Sequence, residues 1–182
     1  MKFTELGLHG VCLIEPDLFS DERGVFRRTF CAKELSEHGL ASTAVQGNIS
    51  ENPHKWTLRG FHYQVPPFEE AKTLLCVTGS LFDIVVDLRS ESPTFLEWVS
   101  VEFSAQDRCS LHVPAGCANA WLTTAPNTTV HYYMSEAYRP NADRGFRYND
   151  PTFGFRWPCE PQLISRKDAS YPDFDPRSLD RN

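Results

Sequence analysis

The chain has 182 residues, 41% of them apolar and 23% charged, enough for one domain with a substantial core and too few for two. A net charge of −6 excludes the broad basic face of a nucleic-acid binder, although a few local arginines and lysines suffice for a nucleotide-sized anion. No apolar run reaches the roughly 18 residues of a membrane span, and no apolar signal region follows Met1, so a cytoplasmic protein is expected.

Short runs rich in β-branched and aromatic residues recur along the chain, separated by Pro, Gly, Asn and Asp. The first predicted strands cover residues 11–15 and 24–30. A single helix is predicted at 32–38, closed by Gly39. Strands then follow at 58–64 and 73–77, and Thr78-Gly79-Ser80 reads as a tight hairpin turn into 81–88. Further strands are predicted at 98–103, 110–113, 121–124 and 129–134. Thirteen scattered prolines keep helices short. Many short strands and few helices mean an all-β sandwich or closed barrel, here one domain over 1–182. The polar stretch from Asp173 to Asn182 is expected to be loose. Cys12, Cys31, Cys76, Cys109, Cys117 and Cys159 contain no Cys-x-x-Cys pair and read as reduced thiols.

Several segments carry groups with chemical potential. In Leu58-Arg59-Gly60-Phe61-His62-Tyr63-Gln64, alternation places Gly60, His62 and Gln64 on one face and Phe61 and Tyr63 on the other. That face is either a ligand wall or a polar surface stripe. Lys72 shares a face with Leu74 and Cys76, and it either snorkels outward or serves an inward site. Asp83 and Asp87 alternate with Phe82, Ile84 and Val86 and read as structural acids that pair with Arg89 or a neighbour. The Pro114-Ala115-Gly116 bend presents Asn119 on the next strand. Tyr132, on the Val130/Met134 face, reads as a packing residue, and Ile164-Ser165-Arg166-Lys167-Asp168 as a solvated turn.

Other landmarks join these in order: Asp21-Glu22-Arg23-Gly24, Gln46-Gly47-Asn48-Ile49-Ser50, Ala71-Lys72, Asp87-Leu88-Arg89 with Ser92-Pro93-Thr94-Phe95, and Tyr148-Asn149-Asp150-Pro151. From about residue 10 to 168, the set resembles the dTDP-4-dehydrorhamnose 3,5-epimerase family, a metal-free branch of the cupins. The resemblance implies a cupin-type jelly-roll barrel with a few short peripheral helices. It also implies a homodimer with exchanged N-terminal strands, a nucleotide-diphosphate sugar as partner in the barrel mouth, and no cofactor. By motif match, His62 is the base, Asp168 orients it, Tyr132 is the acid across the sugar, and Lys72 is the cation near the ketone oxygen. Arg23, Arg59, Gln46, Asn48, Asp143 and Lys167 match positions that hold the diphosphate and sugar. No metal is expected: His62-Tyr63-Gln64 lacks the His-x-His of metal-binding cupins, and Asn119 stands where their later histidine ligand falls.

Two departures affect the pocket. Asn119 replaces a family histidine, and Arg28 stands where a glutamate is common. Asn119 hydrogen-bonds but cannot become cationic, and Arg28 reverses a charge. The expectation is therefore an intact proton-transfer set in a diverged pocket. The enzyme would epimerise C3, C5 or both of a related 4-keto-6-deoxy hexose, on dTDP or CDP. A non-catalytic nucleotide-sugar binder and a 3,4-ketoisomerase of the same fold are the alternatives. The chemistry suits these groups, because a 4-keto group acidifies C3–H and C5–H by delocalising the carbanion onto oxygen. A histidine titrating near neutrality takes that proton, and inversion then requires a second carrier on the opposite face.

Overall fold

Side-chain alternation along antiparallel strands produces two apolar faces on one sheet of this protein, and that fact governs its layering. The computed structural model describes residues 1–179. In chain order these form β1 (Lys2–Glu5), β2 (Cys12–Glu15), β3 (Leu18–Asp21), β4 (Gly24–Arg27), α1 (Ala32–Glu37), β5 (Gln46–Asn52), β6 (Thr57–Gln64) and β7 (Lys72–Thr78). They continue as β8 (Ser80–Asp87), β9 (Trp98–Ser104), β10 (Ser110–Val113), β11 (Cys117–Thr123), β12 (Thr128–Met134), β13 (Asp143–Gly145), β14 (Leu163–Ile164) and α2 (Arg166–Ala169). A first sheet runs β1-β2-β10-β7-β12-β5, and a second runs β13-β6-β11-β8-β9 with β14 parallel to β6. The two face each other as a jelly roll, while β3 and β4 form a separate hairpin. No helix among the described residues is long and apolar enough to cross a membrane.

Between the sheets pack Leu74, Cys76, Leu81, Val85, Leu111, Val113, Trp121 and Val130, all buried. The opposite face of the second sheet presents Phe61, Ile84, Val86, Ala118 and Ala120 to a covering aromatic layer. There Phe61 stacks on Phe146 and Phe155 with centroids 4.7 and 4.6 Å apart, and Phe153 and Phe174 join behind. Burial on both faces takes even the polar Asp83 of β8 and Asn119 of β11 into the interior. Helix α1 covers the outside of the first sheet by seating Leu35 against Cys12 and Ile14.

Several expectations need correction. The strand predicted at 24–30 stops at Arg27, and β11 starts at Cys117 rather than at residue 121. Cys-Ala-Asn-Ala has little intrinsic strand preference and is extended because β6 and β8 flank it on both sides. Strands β1, β3 and β5 escaped prediction because they are polar or exposed at sheet margins. The segment after Pro172 is held down at Phe174, whose side chain is 9% exposed and whose N–H donates to Asp150 Oδ2 at 2.6 Å. The last three positions of the expected loose tail lie outside the described residues.

His112 on β10 faces away from the inter-sheet core, is 1% exposed, and contacts Thr73 Oγ1 through Nδ1 at 2.9 Å. Burial lowers its pKa to about 4. The unfolded chain takes up this proton near pH 6.5, so stability from the neutral imidazole is complete above that pH and is lost as pH falls toward 4. Urea titrations from pH 7 to 4 should show a loss on the order of 3 kcal/mol from this residue. His112→Gln should flatten the slope between pH 6.5 and 4.5; an unchanged slope would remove His112 as the cause.

Candidate active site

The site depends on a break in the alternation of β6. Asn119 pairs with His62, but Trp121 pairs with Arg59, so Gly60 and Phe61 together face the single residue Ala120. This β-bulge turns Arg59 and His62 to the same inward face, whereas strict alternation separates them. Gly60, expected beside His62, instead lies against the β11 backbone. Its φ is +121°, and a Cβ there would sit 2.5 Å from Ala120 Cβ and 2.6 Å from Asn119 O. The bulge frees two N–H groups from the ladder: Gly60 N–H donates to Asp168 Oδ2 at 3.4 Å, and Phe61 N–H to Phe146 O at 3.3 Å.

Asp168 is positioned by α2. Ser165 caps this short helix by accepting the Asp168 N–H at 3.0 Å, and Asp168 itself is 3% exposed. Its Oδ1 lies 2.8 Å from His62 Nε2. Burial opposes charge on Asp168, but His62, the Gly60 N–H and Ser165 outweigh it and hold the carboxyl below its ordinary value. With Nε2 engaged, Nδ1 is the imidazole nitrogen left to exchange a proton. The solvated turn read from the sequence thus contains a buried, ionised orienting group.

The first sheet supplies the opposite wall in two rows. Lys72, Met134 and Gln46 are in register across β7, β12 and β5, and Leu74, Tyr132 and Asn48 form the adjacent row. Lys72, Met134, Gln46, Tyr132 and Asn48 of these rows, with His62, Asn119 and Trp121, line a cavity of about 320 Å³, whose rim includes Tyr138, Asp143 and Lys167. Tyr132, read from the sequence as a packing residue, faces this space with its ring 6.0 Å from that of Trp121. Its phenol is raised by burial, an effect that the Arg59 charge opposes and Glu70 reinforces. Arg59 crosses toward the first sheet, its Nε donating to Asn52 Oδ1 at 2.8 Å. At the rim, Lys167 pairs with Asp143, which also accepts from the Tyr138 hydroxyl at 3.2 Å.

Lys72 points inward rather than snorkelling. Nζ donates to His62 O at 2.9 Å and Asn119 Oδ1 at 3.2 Å, and lies 3.1 Å from Glu70 Oε1. These three acceptors match its three protons. Asn119 in turn donates through Nδ2 to Asp83 at 3.1 Å, which fixes the orientation of its amide. Asp83 is fully buried, and desolvation raises its pKa well above that of an ordinary carboxylate, although Asn119 and Lys72 pull the other way. Asp83, read as structural, therefore braces a cavity residue, whereas Asp87 does pair with Arg89, at 2.8 Å. Among the described residues, no three His, Cys, Asp or Glu side chains are grouped as metal ligands.

Arg23 and Arg28 are not brought to this cavity. Arg23, on the exposed β3–β4 hairpin, pairs with Asp21, and Arg28 pairs with Glu34 at 3.0 Å. Glu70, Trp121, Met134 and Tyr138 line the cavity without having been singled out from the sequence. Glu70, two residues before Lys72, and Met134, two after Tyr132, are the ones that alternation points to; Tyr138 lies in a loop and gives no periodic signal.

The sequence profile of the dTDP-4-dehydrorhamnose 3,5-epimerase family matches residues 5–176. The dTDP-4-dehydrorhamnose 3,5-epimerase of Sinorhizobium fredii is 38% identical over 179 residues, covering 96% of this chain and 90% of the relative. The crystal structure of the Bacillus anthracis dTDP-4-dehydrorhamnose 3,5-epimerase with TDP and pyrophosphate bound superposes with a TM-score of 0.91 at 35% identity, covering 95% of this chain and 99% of that one. ChmJ, a 3'-monoepimerase from Streptomyces bikiniensis in complex with dTDP-quinovose, gives 0.84 at 32% identity, covering 92% and 85%.

Gly60→Ala tests the bulge. The added Cβ and the positive φ should destabilise the fold by at least about 2 kcal/mol in urea denaturation. A change within experimental error would show that the β6–β11 offset does not need glycine.

Proposed function

The chain belongs to the dTDP-4-dehydrorhamnose 3,5-epimerase family, and from that premise we propose that it is an isomerase acting on a nucleotide-linked 4-keto-6-deoxy hexose through an enolate. The observation that carries this reading is the His62–Asp168 pair facing Tyr132 across one cavity, with the Lys72 ammonium in its wall. His62 Nδ1 takes the proton from the carbon beside the ketone. Asp168 holds the tautomer and stabilises the imidazolium that results. Tyr132 returns a proton on the other face, which inverts the centre. Lys72, its three donors already engaged, acts as a fixed positive charge that favours the enolate. Arg59, Lys167, Gln46 and Asn48 hold the diphosphate and sugar, and the TDP and dTDP-quinovose bound in two solved relatives favour dTDP as the carrier.

On this reading the reaction centre is that of the family while the sugar, or the number of carbons inverted, differs. Asn119, held between Lys72 and Asp83, offers the ligand a neutral amide in place of an imidazole.

The catalytic form is a homodimer. Phe19 and Phe26 are 64% and 70% exposed on the β3–β4 hairpin, and Ile49 on the edge strand β5 is 66% exposed. Such a contiguous apolar hairpin is unusual on a monomer, and exchanging it would bring Arg23 and Arg28 to the partner's cavity. Sedimentation should give a dimer, and Phe19→Ser/Phe26→Ser should weaken nucleotide binding at least about tenfold as the dimer dissociates. A monomeric wild-type protein with full activity would refute the exchange.

Catalysis is tested by NMR in heavy water with a panel of dTDP- and CDP-linked 4-keto-6-deoxy sugars. Deuterium should enter at C3, C5 or both with inversion. His62→Ala should abolish exchange, and Asp168→Asn should slow it on the order of 100-fold or more. Tyr132→Phe should separate exchange from inversion by leaving wash-in while suppressing the epimer. Binding without exchange in the wild type would overturn the assignment, and rapid formation of the rhamnose precursor would overturn the altered sugar preference.

A further inference from the structure

Four buried side-chain polar atoms lack a hydrogen-bond partner among the described residues: Glu70 Oε2, His112 Nε2, Trp121 Nε1 and Tyr171 Oη. Glu70 and Trp121 both line the cavity described above, and they are only 5% and 8% exposed. Two other indoles are satisfied within the fold: Trp98 Nε1 donates to Phe153 O at 3.0 Å, and Trp157 Nε1 to Tyr148 O at 2.8 Å. The other oxygen of Glu70 is likewise engaged by Lys72. Native structures seldom leave such atoms unmatched, and at a ligand cavity the missing partner is naturally the ligand. One orphan is an obligate donor. The other, on a carboxylate that faces an ammonium, is an acceptor.

We propose that Glu70 and Trp121 form a hydroxyl-binding subsite for the hexose, Glu70 Oε2 accepting from the hydroxyl and Trp121 Nε1 donating to it. This rests on the nucleotide-sugar reading above and narrows its substrate. A single ligand group fills both roles only if it donates and accepts at once. In a 4-keto-6-deoxy hexose, the ketone oxygen only accepts and the C6 methyl does neither, which leaves the hydroxyls on C2 and C3. Trp121 flanks Tyr132, their rings 6.0 Å apart, and Glu70 lines the same cavity wall as Lys72. The subsite therefore anchors the hydroxyl on the side of the ring from which Tyr132 works, and the enzyme requires a free hydroxyl at that carbon.

The test measures binding by calorimetry in a His62→Ala background, so that turnover does not intrude. The ligands are dTDP-4-keto-6-deoxyglucose and its 2-deoxy and 3-deoxy counterparts. One deoxy ligand should bind on the order of 100-fold more weakly than the parent, because its absence leaves both protein groups unpaired. Adding Trp121→Phe, which removes the N–H and keeps an aromatic ring, should bring that ratio toward one. Glu70→Gln, which keeps an oxygen for Lys72 but places an amide at the orphan position, should reduce it as well. Should either variant fail to fold, ¹⁵N-tryptophan labelling of the parent protein decides: one indole N–H resonance should move with the full sugar and not with the discriminated deoxy ligand. Equal binding of all three ligands, or a ratio indifferent to Trp121→Phe, would sink the subsite and leave the epimerase reading standing. Failure to bind any of the three would overturn both.

Discussion

Two residues of β6 occupy the place opposite one residue of β11, and the site is built on that offset. Without it, Arg59 and His62 would lie on opposite faces of the strand. With it, both turn inward while Phe61 turns out into the aromatic layer, stacked on Phe146 and Phe155. The same irregularity releases the Gly60 N–H from the ladder, and Asp168 accepts it through the oxygen that His62 does not use. A buried carboxylate is tolerated when each lone-pair direction finds a donor, and a strand in perfect register would have withheld this one. Fold and cavity therefore share a constraint: the small residue that lets β6 pass close to β11 also completes the hydrogen bonding of the carboxylate that holds His62.

Much of this architecture was legible from residue patterns, and the failures have physical causes. Strand β8 was legible as a strand through its β-branched and aromatic residues, but Asp83 and Asp87 gave it an alternating pattern although both of its faces are buried. Edge strands such as β5 are polar because one margin meets solvent, and so they lack that signature. Period-two alternation placed Lys72 correctly with Leu74 and Cys76, since β7 has no irregularity there. It misplaced Gly60 and separated Arg59 from His62, because periodicity carries no notice of an inserted residue. Asp168 was legible only by family resemblance. Its neighbours Arg166 and Lys167 are exposed as a solvated turn requires, and nothing local shows that the third charged residue turns inward. Asp83 was readable in placement and not in role, since its partner Asn119 comes from a strand 36 residues away in sequence.

The ionisable groups around the cavity are largely balanced before any ligand arrives. Lys72 faces Glu70, Lys167 faces Asp143, and His62 leans on Asp168. Asp83 sits fully buried behind Asn119, and desolvation pushes its pKa up. Arg59 alone reaches the cavity's edge with only a neutral amide, Asn52, as its hydrogen-bond partner. A nucleotide diphosphate brings more negative charge than one guanidinium offsets in a partly desolvated site, where unpaired charge is most expensive. The additional cations must come from outside this wall. Arg23 and Arg28 stand on and just beyond an exposed hairpin, each held by an exposed or half-buried carboxylate that a stronger anion could replace. Charge balance and the apolar exposure of Phe19 and Phe26 bear on the same proposal, in which the hairpin of a second copy would carry Arg23 and Arg28 to the cavity.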